Sequence, residues 1–402
     1  MPHQVNRLVA GLALAGCTHL AHAAGFALIE QNASGLGNAY AGAAAVAEDA
    51  STIYFNPAGM SLLPDRQFVV AGHLIKLKAE FSGTVSPAVG GGQGGDAGDV
   101  SFVPNAYFAY RVSPDLHLGL GVNAPFGLKT EYDADWMGRF QAIKSDLKTI
   151  NVNPSIAYKV SEQFSVGAGV SLQYLETELT NSAGQAGVAV VEGDDYGWGF
   201  NVGALWQVSP ATRVGLAYRS QIDYDLEGSV SFSAMPALND DVTAETTMPD
   251  SASLSLFHKL SPTWDLLADI NWTGWSDFDK LAIYRTSGAL LSFTPENWDD
   301  TLRYSVGATW HTSDRLSLRG GVAYDEAPVS DADRTPRIPD GARTWIAFGG
   351  QYRLGKGSAI DFGYAHLFVN DPGLNSTGSG TTLTGEYDSA VDILSAQYTH
   401  SF

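Results

Sequence analysis

One cysteine, Cys17, stands in 402 residues, which excludes an intramolecular disulfide and a thiolate metal cluster. Charge is scarce too: 16% of residues are charged, against about 25% in a typical soluble domain. Basic residues are scarcer still, with 23 Lys and Arg facing 43 Asp and Glu and a formal net charge of −20. A nucleic-acid partner is thereby excluded, since phosphates call for a basic face. No internal run of about twenty apolar residues exists, so no helix spans a bilayer. The nine histidines show no metal-ligand spacing. Gly35-Leu36-Gly37 opens like a dinucleotide fingerprint, but Tyr40 takes the third glycine position and no βαβ unit follows. No cofactor and no enzymatic chemistry is therefore expected.

Glycine and aromatic residues are plentiful: 44 Gly, 18 Phe, 17 Tyr and 9 Trp, in a chain that is 45% hydrophobic. That is too apolar for disorder and too polar for a helical membrane protein. A transmembrane β-barrel reconciles these features, because lipid-facing apolar residues alternate with polar lumenal ones.

Residues 1–23 read as a secretory signal peptide. Leu8 to Gly16 form a short apolar core behind Arg7, and Ala21-His22-Ala23 is a small-x-small cleavage site, so the mature chain is expected to start at Ala24. A second reading takes Leu14-Ala15-Gly16-Cys17 as a lipobox that would be cut before Cys17.

Turn signals recur near positions 114, 162, 210, 262, 314 and 356. Each interval holds two alternating segments joined by a longer polar loop, as in barrels with short periplasmic turns and long extracellular loops. Parity supports this. Even positions read Phe164, Val166, Ala168, Val170, Leu172, Tyr174, then Tyr196 to Val208, then Val214, Leu216, Tyr218, Ser220, Ile222, Tyr224. The odd positions between them are mostly Gly, Ser, Asn, Gln or charged, so one face suits lipid and the other the lumen. Phe164/Tyr174 and Trp198/Trp206 would place aromatics at both interfaces. Six turns with both termini on the turn side predict an all-β fold, an antiparallel transmembrane barrel of about 14 strands over residues 67–402. The terminal Phe402, after alternating Leu394, Ala396 and Tyr398, suits recognition by the outer-membrane assembly machinery.

Residues 24–66 do not alternate and are too few for a domain. They are expected inside the lumen as a hatch, since about 14 strands leave an interior that side chains alone do not fill.

Several stretches resemble the FadL-type long-chain fatty acid transporters of Gram-negative outer membranes, a family that also holds aromatic-hydrocarbon channels. They are Ala24-Gly25-Phe26, Ser34 to Gly42, Asn56-Pro57-Ala58, Pro125 to Leu128, Trp136 to Arg139, Trp272 to Phe278, Thr294 to Trp298, and Arg337 to Asp340. The resemblance implies a 14-stranded outer-membrane barrel with a hatch, capture of a hydrophobic substrate among outer loops, an internal site touched by the hatch, and lateral exit at a kinked strand. Long-chain fatty acids are the expected substrates; an aromatic-hydrocarbon channel and a general diffusion porin are the alternatives. The basic residue that the family carries on the strand after Phe164 has no counterpart, since Glu176 and Glu178 stand there.

The candidate substrate contacts are Phe26, then Phe126, Leu128, Trp136, Met137 and Phe140 from the apolar loop 125–146, and the odd-numbered, lumen-facing Arg219, Arg303 and Arg319. The arginines could meet a carboxylate or pair with Asp265, Asp269 or Asp361. The candidate gate comprises Asn56, Pro57 and Ala58, which could equally be a turn, and Gly119 and Gly121. These glycines precede Pro125 in a strand where the wall should be weak, or else they make room for the hatch.

Overall fold

A computed structural model describes residues 25–402. The expected signal peptide and the alternative lipobox at Cys17 lie outside the described residues.

The strands run β1 (Arg66–Ser86), β2 (Val100–Ser113), β3 (Leu116–Asn123), β4 (Gly127–Glu131), β5 (Lys144–Lys159), β6 (Phe164–Ser182) and β7 (Val188–Ser209). Next come β8 (Thr212–Arg219), β9 (Ile222–Phe232), β10 (Asp240–Met248), β11 (Ser251–Ser261), β12 (Trp264–Thr273), β13 (Lys280–Arg285) and β14 (Leu290–Pro295). The chain ends with β15 (Thr301–His311), β16 (Leu316–Asp325), β17 (Arg343–Gly355), β18 (Ser358–Val369), β19 (Gly373–Gly378) and β20 (Thr381–Ser401). Fourteen of them close an antiparallel barrel; the others continue interrupted walls or decorate the long-loop end. Closure is by β1 on β20, from Gln67↔Ser401 to Ser86↔Thr382. All six expected tight turns are present, joining β2–β3, β5–β6, β7–β8, β11–β12, β15–β16 and β17–β18.

Burial is inverted relative to a water-soluble protein. Val170, Leu172, Trp198 and Leu216 face outward, while Ser171, Gln173, Asn153 and Asn201 are buried in the lumen. Lipid replaces water on the outer face, and the ladder leaves few backbone groups unpaired there. The parity reading fails at one place. Ile222 and Tyr224, expected on the lipid side, are 5% and 2% exposed and point inward. The wall breaks at Ser220-Gln221 between β8 and β9, and the interruption shifts the alternation by one residue. Beyond that break the interior is apolar.

Ahead of β1, the chain fills the lumen with three single-turn helices (Ala33–Leu36, Ala43–Val46, Thr52–Phe55) and a 3-10 turn (Pro57–Leu62). None could persist alone, because helix nucleation is costly at this length. The barrel wall supports them: the Asn38 side-chain amide donates to the Ala308 carbonyl at 2.8 Å and the Asn56 amide to that of Ala204 at 3.0 Å. The first strand starts at Arg66.

Candidate functional site: a lumenal cavity beside a break in the wall

The seam between β2 and β3 pairs from Ser113↔Leu116 to Ala106↔Val122 and then stops. Val100 to Asn105 keep their partners on β1, but nothing on the β3 side continues the ladder. β3 ends at Asn123 and β4 starts at Gly127. Against β5 the register slips by one, from Asn123↔Asn151 to Gly127↔Lys148. Pro125 occupies the break and Pro104 the opposite edge, and neither has an N–H to offer.

The amino-terminal segment crosses behind this opening. Leu28 N donates to the Pro125 carbonyl at 2.8 Å and Gly127 N to that of Phe26 at 3.0 Å, making an antiparallel bridge Ala27↔Phe126. The Gln31 side-chain amide donates to Ala124 O at 2.9 Å. From the β2 edge, Asn105 Nδ2 donates to Glu30 O at 2.9 Å and the Tyr107 hydroxyl to Gln31 O at 3.0 Å. Residues 26–31 thus pair with both lips of the broken seam.

Behind them lies a cavity of about 670 Å³, within the span of about 300–1,000 Å³ usual for small-molecule sites. Phe26, Phe126 and Leu128 are among its apolar lining residues, and Arg219, Arg303 and Arg343 among its charged ones. Next to the cavity, Phe26 sits edge-on to Trp275 (centroids 4.8 Å), Phe278 (5.5 Å) and Trp298 (5.7 Å), geometry that adds to simple area burial. The start of the segment is clamped there: Gly25 N donates to Asp340 Oδ2 at 2.7 Å, and Arg343 Nη2 donates to Gly25 O at 3.0 Å and to Asp340 Oδ1 at 2.7 Å.

The three expected arginines differ in their partners. Arg319 is neutralised by Asp361 and Glu48, both at 2.7 Å, and is absent from the cavity lining. Arg303 donates to Ala39 O at 2.8 Å and approaches Asp325 at 3.9 Å, with its Nε and Nη1 buried and lacking a hydrogen-bond partner. Arg219 lies 4.3 Å over the Tyr54 ring and donates to Ser171 Oγ and Tyr54 O, each at 3.0 Å. Those partners are neutral, so among them no carboxylate offsets the Arg219 charge at the cavity wall.

The family model for "Outer membrane protein transport protein (OMPP1/FadL/TodX)" matches residues 14–402. The chain belongs to this family. It is 33% identical to outer membrane protein P1 of Haemophilus influenzae over 86% of each chain. With the long-chain fatty acid transport protein of Salmonella typhi it shares 28% identity over 86% of this chain and 88% of that one. A FadL homologue from Pseudomonas aeruginosa, known by its crystal structure, superposes with a TM-score of 0.88 at 26% identity, covering 94% of this chain and all of that one. As a member of the FadL family the protein is an outer-membrane transport protein for hydrophobic compounds.

The other expected site residues of this FadL-family chain lie elsewhere. Trp136 is fully buried, stacked on Tyr132 at 4.0 Å and donating from Nε1 to Ala142 O at 2.7 Å. Met137 packs against that cluster, and Phe140 lies under the Arg139 guanidinium at 4.8 Å. The loop is folded on itself, and none of the three lines the cavity. A Cβ on Gly119 would fall 2.5 Å from Met60 Sδ and 2.7 Å from Ile53 Cδ1, and one on Gly121 would fall 3.1 Å from Tyr107. These glycines make room for the lumenal segment; the break itself lies just beyond them.

Asn56-Pro57-Ala58 is a turn tied to the wall. Asn56 Oδ1 accepts from Ala58 N at 3.1 Å while Nδ2 donates to Ala44 O at 2.7 Å. Gly203 and Gly167 of the wall supply the space: a Cβ at either would collide with Asn56 Oδ1 (2.0 Å) or Ala58 N (2.4 Å). Asp331 pairs with Arg334, and Asp333 accepts from the Asn297 side-chain amide at 2.9 Å. Among the described residues no cluster of three metal-ligating side chains occurs.

Sequence reasoning passed over Glu30, Arg343, Trp275 and Trp298. The tryptophans stand inside stretches that carry the family resemblance, and Glu30 is the lone acid after the apolar run Phe26 to Ile29. Either signal could have pointed to them.

Proposed function

We propose that the protein conducts single-chain carboxylates, long-chain fatty acids foremost, passively across the outer membrane. The supporting observation is the pairing of an apolar, aromatic-walled cavity with a half-buried guanidinium, Arg219, whose hydrogen-bond partners among the described residues are neutral. A hydrocarbon gains nothing from such a cation, whereas a carboxylate replaces lost hydration with charge-assisted hydrogen bonds. Capture starts among the outer loops, where Met137 and Phe140 stay half-buried. The substrate then rests beside Phe26, Phe126 and Leu128 with its headgroup toward Arg219 and Arg303. It leaves sideways through the seam between Asn105 and Ala124 when residues 26–31 withdraw. Residues 24–66 act as the hatch, seated at Asn56-Pro57-Ala58 and accommodated by Gly119 and Gly121, and Arg319 holds the barrel interior together.

The ring cluster around Phe26 favours a second reading, an aromatic-hydrocarbon channel. Binding of dodecanoate and dodecanol to the purified protein separates the two. Replacing Arg219 with Met should weaken dodecanoate about 10- to 100-fold, the equivalent of a hydrogen bond to a charged group, and leave dodecanol nearly unchanged. Equal losses for both, or tight binding of toluene with no dodecanoate binding, would defeat the carboxylate reading.

A further inference from the structure

Glu30 is 5% exposed and lines the cavity from the lumenal segment. Among the described residues no cation lies within ion-pair distance of its carboxylate. The charged groups around it come from four elements. Arg303 on β15 is balanced by Asp325 on β16. Arg343 on β17 is balanced by Asp340 of the preceding loop. Tyr40 and Tyr54 of the lumenal segment and Tyr107 on β2 are the other titratable neighbours; Tyr40 and Tyr107 are buried and Tyr54 is half-buried.

The lining also carries Lys129, paired with Asp99, and Lys148, paired with Asp146 at 3.2 Å; with all these pairs matched, Glu30 and Arg219 are left as one anion and one cation on the same cavity. If Glu30 is ionised the enclosure is neutral, and a substrate carboxylate makes it net negative, which a water-poor interior strongly disfavours. If Glu30 is protonated, the cavity carries one positive charge and the substrate cancels it. Resting on the carboxylate reading above, we propose that Glu30 takes up a proton from solvent as a substrate carboxylate enters, so that Arg219 meets a single anion. Burial already holds the Glu30 carboxyl up at about 7, opposed only partly by a backbone hydrogen bond and by Arg343 and Arg303, so the proton is available at neutral pH. The sign follows: below that value Glu30 is protonated in the empty protein and affinity is flat. Above it, each binding event must recruit a proton, and affinity falls by up to about tenfold per pH unit.

Calorimetry of dodecanoate binding in two buffers of different ionisation enthalpy reads the proton count directly. Near pH 8 the wild-type protein should take up about one proton per dodecanoate, and near pH 5.5 almost none. Dodecanol, which brings no charge, should recruit no proton at either pH. Glu30→Gln should abolish the uptake and raise dodecanoate affinity near pH 8 by up to about tenfold. Dodecanoate binding near pH 8 without proton uptake, or uptake that persists in Glu30→Gln, would overturn the proposal. If that variant does not fold, the wild-type measurements at the two pH values decide alone. A protein that binds dodecanol but no dodecanoate at any pH would instead overturn the substrate class, and this proposal with it.

Discussion

Two seams flank the β1–β2 ribbon, and they behave in opposite ways. On one side β1 pairs with β20 without interruption from Gln67↔Ser401 to Ser86↔Thr382. On the other, β2 loses β3 beyond Ala106↔Val122. Nothing in the outward side chains separates them; Phe102 and Val100 on the open half are as exposed as Leu74 and Leu394 on the closed one. The difference lies in the backbone. Pro104 and Pro125 cannot donate on the open seam, and the wall slips register there. In a bilayer each unpaired backbone group costs several kcal/mol, so such an opening persists only if something else pairs with its edges. Here that partner is the chain's own amino-terminal segment, and a weak seam becomes one that can be opened.

The largest effect should come from removing that partner. Deleting residues 24–58 leaves the ladder from β1 to β20 complete, so the barrel should still close and migrate anomalously on unheated gels. Fatty acid uptake should be lost while ion conductance in planar bilayers rises several-fold or more. A deletion protein that conducts no better than wild type would show that the lumen is closed by something other than this segment.

A sharper test fixes the partner in place. Gly127 N→Phe26 O and Leu28 N→Pro125 O flank Ala27 and Phe126, which makes them a non-hydrogen-bonded pair with Cα atoms about 4.5 Å apart in ideal geometry, close enough for a disulfide. The double variant Ala27→Cys, Phe126→Cys should lose uptake about tenfold or more when oxidised and recover it with reductant. Oxidation should leave the β1–β20 seam untouched. Full uptake in the oxidised protein would exclude withdrawal of residues 26–31 as the opening step.

The closed seam was far more legible in the sequence than the open one. Alternation and turn spacing announce a ladder, and they located all six short turns. They fail where the wall breaks: Ile222 and Tyr224 keep the expected parity yet face inward, because the gap at Ser220-Gln221 resets the phase. Of the site, Phe26, Phe126, Leu128, Arg219 and Arg303 do converge on one cavity, since inward parity and the family-like stretches both pointed to them. Trp136, taken as a substrate contact, is packed away in a buried cluster, because an apolar set in an outer loop can be a self-packed lid as readily as a binding face. Arg319 shares its parity with Arg303, and only depth in the lumen distinguishes a paired cation from one at the cavity. Glu30 carries no periodicity at all, lying in a segment whose course is set by the wall around it.

Next in size are the glycines beside the break. Gly119→Phe would drive into Met60 and Ile53, so it should unseat the segment as well as crowd the seam, raising ion leak and cutting uptake several-fold. Gly121→Phe meets Tyr107 at a longer distance and should do less of both. If instead both variants stop uptake with no leak, the strand itself is what bends.

The smallest effect is expected at the far end of the segment, on the side where the wall is intact. Asn56 is fully buried and holds three hydrogen bonds, accepting from Ala58 and donating to Ala44 and to Ala204 of β7. Asn56→Ala removes them and leaves the Ala44 and Ala204 carbonyls short of a donor, at a cost of about 1–3 kcal/mol for each buried group left unpaired. That loss falls on the seating of the segment and leaves the strand ladder untouched, so heat stability of the barrel on gels should stay close to wild type. Residues 26–31 remain paired with the open seam, and the Arg343–Asp340 clamp on Gly25 is undisturbed. Uptake should therefore change by about twofold or less, while single-channel records should show brief openings that the wild-type protein lacks. A drop in uptake as deep as that of the oxidised disulfide variant would mean that the segment moves as one body about this turn, and that the two ends are one gate.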